Sequence, residues 1–255
     1  MKNKDQSIIA IIFAGGFGSR MGSLTSNKHK TMLKIGKYPI LAHLYTQLRV
    51  NFIKRIVLCT GFKSDGIKQY TKDKIKKDSD KILKLIKNYK KYDYPEVIIS
   101  KLTPMHSTSQ RIFKIKDKIK EDNFLFIYGD TLLKPNFLEL KKILNDKSCG
   151  ATLTLSKPQP KFGKVKLKQN KIIEYYEKKS ENELWVNSGW CLVRNKFSNL
   201  FKNSKENFEN YFFNKIIKES TLFAVKNKNF YIPIDTEIEL NLANKLWKKN
   251  KKLWF

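Results

Sequence analysis

The sequence is poor in the residues that build disulfide frameworks and metal centres. It has three cysteines and three histidines among 255 residues. They show neither a CxxC motif nor the spacing of a zinc site, so neither feature is supported. The cysteines are far apart and lie in apolar runs: Cys59, Cys149 and Cys191. We therefore expect reduced, buried thiols in a cytoplasmic protein.

Long apolar runs and acidic residues are also scarce. No apolar run approaches the length of a membrane span, so no membrane partner is expected. Only 23 acidic residues face 52 lysines and arginines, which gives a net charge of +29. This excess attracts polyanions of any kind. Because the lysines are scattered, we attribute most of the excess to a compositional bias. Apolar residues make up 41% of the chain, enough for a substantial core.

Short apolar runs alternate with helical patterns over residues 1–150. The predicted strands are residues 8–14, 55–60, 96–100 and 124–130. The predicted helices are residues 39–52, 66–91, 107–119 and 135–144. This alternation predicts an α/β fold, with a mixed, mostly parallel sheet flanked by helices.

The pattern changes after residue 150, where strands follow one another directly. They are predicted at residues 151–156, 162–168, 171–178 and 184–193, and helices return at about 206–218 and 236–249. The polar stretch 169–171 suits a hairpin turn. No repeat or Pro/Gly-rich linker interrupts the chain. We expect one domain over residues 1–255, with a more antiparallel half from residue 151.

A glycine-rich loop, "FAGGFGSRM" (13–21), follows the first apolar run. Such a turn exposes backbone N–H groups that a phosphate can approach. The dinucleotide fingerprint GxGxxG fails, because Met21 stands at its third glycine, and no register supplies a P-loop. Three cations, Arg20, Lys28 and Lys30, follow closely. Together with the loop, they suit a polyphosphate.

Longer motifs carry a family resemblance. "AGGFGSR", followed by "KHKTMLKIGKYPILAH", resembles the signature AGGxGTR…KPKPMxxIGxKPILxH of the glucose-1-phosphate cytidylyltransferase branch of sugar-1-phosphate nucleotidyltransferases. The likeness continues in order through "LCTGFKSDGIKQY", "FLFIYGD", "YYEKK", "VNSGWCLV" and "FYIPIDTEIELNLANKLWKKNKKLW". It implies a Rossmann-like, GT-A-like nucleotidyltransferase domain. Residues 1–150 would bind the nucleotide and residues 151–255 the acceptor.

The resemblance assigns roles to individual residues. It implies nucleotide binding by Ala14, Gly15, Gly16, Gly18, Arg20, Lys30, Thr108, Ser109 and Gly129. Arg20 and Lys30 would be catalytic, because they bind the phosphates. Asp130 and Asp235 would hold Mg²⁺, with Mn²⁺ as an alternative, since divalent metals of this kind prefer oxygen ligands. Taken alone, each aspartate is better explained as a helix cap or turn residue, and the matched order of motifs reverses that, more firmly for Asp130.

Several departures from the branch pattern fall mainly on the acceptor side. His29 replaces a proline, "TSQR" (108–111) replaces TGGR, Lys179 replaces a proline and Ser188 replaces a glycine. We infer that the nucleotide chemistry is kept and the acceptor is changed. The proposed acceptor-binding residues are Gln110, Arg111, Glu177, Lys178 and Asn187.

Overall similarity to the phosphoglutamine cytidylyltransferases of capsule methyl phosphoramidate biosynthesis implies CTP and phospho-L-glutamine as substrates. The products would be CDP-L-glutamine and pyrophosphate. One alternative is transfer to glucose or heptose 1-phosphate. Another is a nucleic-acid-binding protein, based on the charge and on "KLWKKNKKLWF" (245–255), although we expect no nucleic-acid partner because the family resemblance runs through that segment. Whether the chain forms a homo-oligomer is left open.

Overall fold

The computed structural model describes residues 7–88, 90–158, 164–176 and 184–255. The strands are β1 (Ile8–Ala14), β2 (Lys34–Ile35), β3 (Tyr38–Pro39), β4 (Arg55–Thr60), β5 (Glu96–Lys101), β6 (Asn123–Tyr128), β7 (Thr131–Leu133), β8 (Cys149–Ser156), β9 (Lys164–Lys168), β10 (Lys171–Tyr176), β11 (Val186–Arg194), β12 (Thr221–Lys226) and β13 (Tyr231–Pro233). The helices are α1 (Ile40–Val50), α2 (Ser64–Asp73), α3 (Ile75–Leu85), α4 (Thr108–Ile115), α5 (Phe137–Leu144), α6 (Glu209–Glu219) and α7 (Glu237–Lys249).

Seven strands form the central sheet, in the order β12-β8-β11-β6-β1-β4-β5. Strands β6, β1, β4 and β5 run parallel, with Ile11 opposite both Val57 and Phe126. Strand β11 is antiparallel to both of its neighbours, β6 and β8, whereas the edge strand β12 is parallel to β8. The expected mixed, mostly parallel sheet with a more antiparallel second half is confirmed. The single-domain organisation stays a prediction.

Strand β1 is buried because helices cover both faces of the sheet. Successive strand residues point to opposite faces, so Ile9 and Ile11 enter one core while Ala10 and Ile12 enter the other. Helices α4 and α6 cover the first face, and α1, α2, α3, α5 and α7 cover the second. This explains why β1 is an unbroken apolar run rather than an alternating one.

The lysine-rich stretch 66–91, expected to be one helix, is two. Helix α2 ends at Asp73 and α3 begins at Ile75, since Lys74 has a non-helical backbone with φ −126°. The Tyr70 hydroxyl, near the end of α2, donates a hydrogen bond to Asp78 of α3 at 2.8 Å. The break lets both short helices bury their isoleucines, Ile67 on α2 and Ile75 on α3, in the same core.

The cysteines are free thiols and all three are buried, as expected: Cys59, Cys149 and Cys191. Burial raises the pKa of the Cys59 thiol to about 12. It also raises the pKa values of the other two thiols. Since the thiolate is the reactive form, these thiols are chemically quiet at neutral pH.

The basic, aromatic segment 245–255 has its tryptophans in the core. Trp247 and Trp254 are buried and contact each other edge to face. Both rings also lie against the buried His43 of α1. Bases of a single-stranded nucleic acid stack on exposed aromatic rings, so these two offer no such platform. No helix in the described residues is long and apolar enough to cross a membrane.

Candidate active site

The glycine-rich loop leaves the carboxyl end of β1 and is held in a fixed turn. Gly18 has φ +68°, a conformation that glycine adopts without strain, and it precedes a 3-10 helix over Ser19–Thr25. The Thr25 hydroxyl reaches back and donates to the Gly18 carbonyl at 3.1 Å. The last residue of the 3-10 helix is thereby hydrogen-bonded to the loop residue that precedes the helix.

Arg111 is a buried residue that hydrogen-bonds to the backbone of the loop. It is only 4% exposed. Its guanidinium donates to the carbonyls of Thr60 at 2.7 Å, Thr103 at 2.8 Å and Gly15 at 3.2 Å. A Cβ atom on Gly15 would lie 2.2 Å from the Arg111 Cζ atom, so a larger residue would require the guanidinium to move. Burial lowers the pKa of Arg111.

Lys30 lies between two carboxylates beside the glycine-rich loop. Its Nζ atom is 2.9 Å from an oxygen of Asp130 and 2.7 Å from an oxygen of Asp235. The Lys30 side chain is 10% exposed, whereas those of Asp130 and Asp235 are 38% and 22% exposed, so the carboxylates are open to solvent. The second oxygen of Asp235 contacts Arg20 at 3.0 Å, and the Arg20 side chain is 73% exposed. Two cations therefore balance two carboxylates.

Strand pairing brings the two aspartates together from distant parts of the sequence. Asp130 follows β6, where parallel strands of α/β sheets end and ligands bind. Strand β7 pairs with β13, and the Ile234 N–H donates to the Asp130 carbonyl at 2.8 Å. The Asp235 N–H then donates to the Glu239 carboxylate at 2.7 Å. Glu239 also completes the capping box that starts α7.

The aspartate pair suits a divalent cation with oxygen ligands. Both carboxylates approach one cationic atom, the Lys30 Nζ, so their oxygens already converge on a site of positive charge. No group of three or more His, Cys, Asp or Glu side chains in the described ranges forms a metal cluster. Mg²⁺ is commonly held by one or two carboxylates together with water and substrate phosphates. The residues present fit this type of site.

A pocket of about 190 Å³ opens between the loop and the carboxylates. It is lined by these residues expected in the site: Ala14, Gly15, Gly16, Gly18, Arg20, Lys30, Gly129, Asp130 and Asp235. Phe13, Ser19, His29 and Thr31 line it as well, and they were not among the predicted ligands. The structure thus assembles the loop, the two cations and the two carboxylates around one pocket.

The residues of "TSQR" at the start of α4 do not line that pocket, and their side chains make contacts within the fold. Thr108 donates to Glu209 at 2.9 Å, and the Ser109 hydroxyl is 3.2 Å from that of Tyr211. Gln110 accepts from the Ser107 N–H at 3.0 Å, which completes the capping box of α4. Three of the four side chains therefore have local structural partners, and the fourth is Arg111, described above.

The remaining acceptor candidates lie at or beyond the edge of the described region. The Asn187 side chain, on β11, accepts a hydrogen bond from the Gly189 N–H at 3.0 Å. Glu177 and Lys178 fall outside the described residues, as does Lys179. Their roles in acceptor binding stay predictions.

Two further residues were missed as site candidates, one that lines the pocket and one that hydrogen-bonds to the end of β6. His29 was noted only as a departure from the family's proline, yet it lines the pocket. The sequence did not indicate a role for Glu209, because this residue begins α6 and is far in sequence from the residues that it contacts. Its carboxylate accepts from the hydroxyls of Tyr128 and Thr108, both at 2.9 Å. Tyr128 is the last residue of β6, two positions before Asp130.

A comparison of the sequence with protein families agrees with the geometry of this pocket. A family model described as nucleotidyl transferase matches residues 9–232. The chain belongs to the nucleotidyl transferase family. Its loop, Lys30 and the strand that ends before Asp130 all lie within the matched residues, and Asp235 follows three residues later.

Known relatives match nearly the whole chain. The chain is 28% identical to the glucose-1-phosphate cytidylyltransferase of Salmonella typhimurium over 254 residues, covering 96% of this chain and 98% of that one. It is also 28% identical to the D-glycero-α-D-manno-heptose 1-phosphate guanylyltransferase of Aneurinibacillus thermoaerophilus, covering 92% and 96%. The crystal structure of HddC from Yersinia pseudotuberculosis matches in fold, with a TM-score of 0.69, 20% identity, and coverage of 94% and 99%. The chain is a nucleotidyltransferase.

Proposed function

We propose that the protein transfers the cytidylyl group of CTP to the phosphate of a small acceptor and releases pyrophosphate. One observation carries the proposal: Lys30 lies between Asp130 and Asp235 at the mouth of a glycine loop. This arrangement offers backbone N–H groups and cations to the triphosphate, and carboxylates to its metal.

In the reaction, an oxygen of the acceptor phosphate attacks the α-phosphorus of CTP. A P–O bond forms to the acceptor while the bond between the α-phosphorus and the bridging oxygen breaks. The electron pair of that bond leaves with pyrophosphate. Because a phosphate oxygen is already ionised, no general base is needed. The loop and the two cations, Arg20 and Lys30, hold the reactants together and offset the developing negative charge.

Asp130 and Asp235 would hold Mg²⁺, or Mn²⁺ in its place. When bound, the metal neutralises phosphate charge and orients phosphate oxygens. Lys30 contacts both carboxylates and Arg20 contacts the second oxygen of Asp235, so two cations balance two carboxylates. With Mg²⁺ on the carboxylates, the Lys30 ammonium would interact with phosphate oxygens.

For the acceptor, we propose a sugar 1-phosphate as the first candidate. The curated relatives that match over more than nine-tenths of this chain include a glucose-1-phosphate cytidylyltransferase and a heptose 1-phosphate guanylyltransferase. The altered "TSQR" motif gives little reason for a different acceptor. Its side chains form helix caps and packing contacts instead of projecting into the pocket.

The second candidate is phospho-L-glutamine, for which the enzyme would serve capsule phosphoramidate synthesis. Sequence resemblance suggests it, and the position of Glu209 suits it. A carboxylate has about four acceptor sites, and the hydroxyls of Tyr128 and Thr108 use two. Glu209 contacts Tyr128, two positions before Asp130, and a carboxylate there would repel phosphate but attract the ammonium group of an amino acid.

The test is a matrix of pyrophosphate-release assays with Mg²⁺. CTP, UTP, GTP, ATP and dTTP are crossed with glucose 1-phosphate, heptose 1-phosphate and phospho-L-glutamine. We expect release with CTP and one acceptor, and loss of release in Asp130→Asn. Release with CTP and phospho-L-glutamine alone would overturn the sugar assignment and keep the chemistry. If no nucleotide supported release with any acceptor, the cytidylyltransferase proposal would fail.

Glu209→Gln sharpens the choice of acceptor. It keeps the shape of the side chain and removes its charge. If the acceptor is phospho-L-glutamine, we expect its KM to rise about tenfold or more, as when a charged hydrogen bond is lost. If the acceptor is a sugar 1-phosphate, the KM should change much less. Thr108→Val, which removes a hydroxyl partner of Glu209 without changing the charge, is the matched control.

A further inference from the structure

His29 is a buried polar side chain at the nucleotide pocket with an unused hydrogen-bonding atom. It is 4% exposed and lines the pocket beside Lys30. It also caps the 3-10 helix Lys30–Met32, because the Thr31 N–H donates to its Nδ1 atom at 3.1 Å. Its Nε2 atom is buried and has no hydrogen-bond partner among the described residues.

The cap fixes where the imidazole carries its hydrogen. An Nδ1 atom that accepts from a backbone N–H is unprotonated, so the neutral ring bears its hydrogen on Nε2. Burial lowers the pKa of His29 to about 4, with the nearby Lys30 adding to the effect, and the ring is therefore neutral at pH 7. The backbone of Gly16 lies near enough to the ring to oppose that shift. The Nε2–H is thus a neutral donor beside the glycine loop.

The backbone of His29 follows the path that a proline would take. Its φ of −66° and ψ of 148° match the restricted conformation of proline. The family pattern that the sequence resembles has proline here, and the backbone conformation of His29 is one that proline can adopt. What the histidine adds is a side chain, with one nitrogen in the helix cap and the other without a partner.

We propose that His29 is a positioning residue for the nucleotide, whose Nε2–H donates to the Gly16 carbonyl and holds the glycine loop around the polyphosphate. This hydrogen bond joins the glycine loop to the turn that carries Lys30. It keeps the loop N–H groups and the Lys30 ammonium at a fixed spacing around the phosphates. The inference rests on the proposed function, because it needs a polyphosphate in this pocket.

Two substitutions separate the roles of the two ring nitrogens. In His29→Asn, the amide oxygen keeps the cap to Thr31, but the side chain is too short to replace Nε2–H. In His29→Gln, the side-chain NH₂ stands near the position of Nε2. We expect His29→Asn to weaken Mg²⁺–CTP binding about tenfold, with kcat at saturating CTP changed less than threefold. His29→Gln should bind within about threefold of the wild type. Cooperative thermal unfolding would confirm that both variants fold, with a lower melting temperature for His29→Gln because it lacks the cap to Thr31.

The measurements are calorimetric titration of Mg²⁺–CTP without acceptor and ¹⁵N NMR of the histidine rings. We expect a neutral His29 protonated at Nε2, whose N–H exchanges more slowly with water once Mg²⁺–CTP is added. Wild-type CTP affinity in His29→Asn, or a ring protonated at Nδ1, would overturn the inference while leaving the proposed function intact. If the wild-type protein bound no nucleotide at all, the proposed function would fail first and the inference with it.

Discussion

Two arginines near the loop show how differently the two sides of the site are built. The Arg20 side chain is 73% exposed and contacts only Asp235 in the described structure. Arg111 is 4% exposed and donates to backbone carbonyls of three separate segments. Sequence comparison suggested that both bind ligands. The structure shows one cation available at the mouth of a pocket and another that holds the backbone together.

The difference teaches that charge alone does not identify a ligand-binding residue. On the pocket side, Arg20, Lys30, Asp130 and Asp235 pair with one another, so a charged ligand and a metal can exchange those partners. On the α4 side, the partners of Arg111 are carbonyl groups that no ligand can replace. Substitutions on the first side should change activity, and substitutions on the second should change stability.

The largest effect is expected from Asp130→Asn. The change removes a carboxylate charge from the metal site and keeps the side-chain volume. We expect kcat/KM to fall by about 10²–10³-fold, the range seen when one electrostatic contact to a transition state is lost. The melting temperature should stay near that of the wild type. Asp117→Asn, at an exposed residue away from the pocket, is the control. Full activity with unchanged Mg²⁺ dependence would remove Asp130 from the site.

The paired variants Arg20→Ala and Arg111→Ala test the contrast directly. Arg20→Ala should lower kcat/KM by about 10²-fold. Its free energy of unfolding should change by less than about 0.5 kcal/mol, because its ion pair is exposed. Arg111→Ala leaves several buried carbonyls without a donor and should lower the free energy of unfolding by at least about 3 kcal/mol. Urea denaturation and initial rates measure both quantities. If Arg111→Ala were stable but inactive, Arg111 would belong with the ligands.

A pair of glycine variants makes the same comparison within the loop. Gly15→Ala forces a methyl group against the Arg111 guanidinium, which three carbonyls hold in place. We expect a loss of about 1–3 kcal/mol, as for other overpacked sites. Gly16→Ala meets no described atom within 4 Å, so its stability should be close to that of the wild type. Equal melting temperatures for the two variants would contradict the role of Arg111 beneath the loop.

The smallest effect near neutral pH is a pH dependence of stability from the buried His43. Burial lowers the pKa of His43 to about 4. Between pH 6.5 and 4 the unfolded chain therefore binds more protons than the folded one. Stability is fully present above pH 6.5 and falls as the pH is lowered towards 4, by up to about 3 kcal/mol.

Urea titrations at fixed pH values measure the effect. His43→Gln should reduce the slope between pH 6.5 and 4, while its stability at pH 7 falls through lost packing against Trp247. The rest of the slope includes His29, whose pKa burial also lowers to about 4. Because His43 lies in the core away from the pocket, the difference in slope between wild type and variant should be the same with and without Mg²⁺–CTP. An equally steep slope in the variant would show that other groups cause the acid sensitivity.

Much of the fold could be predicted because it depends on local patterns. The apolar run of β4 was expected at residues 55–60 and is observed at Arg55–Thr60. The division of the predicted helix 66–91 into α2 and α3 was missed. The break at Lys74 lets both helices pack into the same core, and the sequence pattern does not show this packing. Strands β7 and β13 were missed because three-residue strands leave no periodic signal.

The site residues that belong to sequence motifs could be predicted. The side-chain contacts that depend on packing between distant segments could not. Asp130 and Asp235 meet at Lys30, as the order of motifs implied. The use of Gln110 in a helix cap and of Arg111 beneath the loop depends on contacts with Ser107 and Gly15 that sequence spacing does not reveal. The open Nε2 of His29 likewise depends on the fold around it.

The most direct test of this account is a crystal structure with Mg²⁺ and a CTP analogue whose α–β bridge is methylene. We expect the triphosphate between the glycine loop and Lys30, with the metal on Asp130 and Asp235. The Arg111 side chain should keep its carbonyl partners. A triphosphate bound to Arg111, or one bound on the basic segment 245–255 with the loop pocket vacant, would contradict the account.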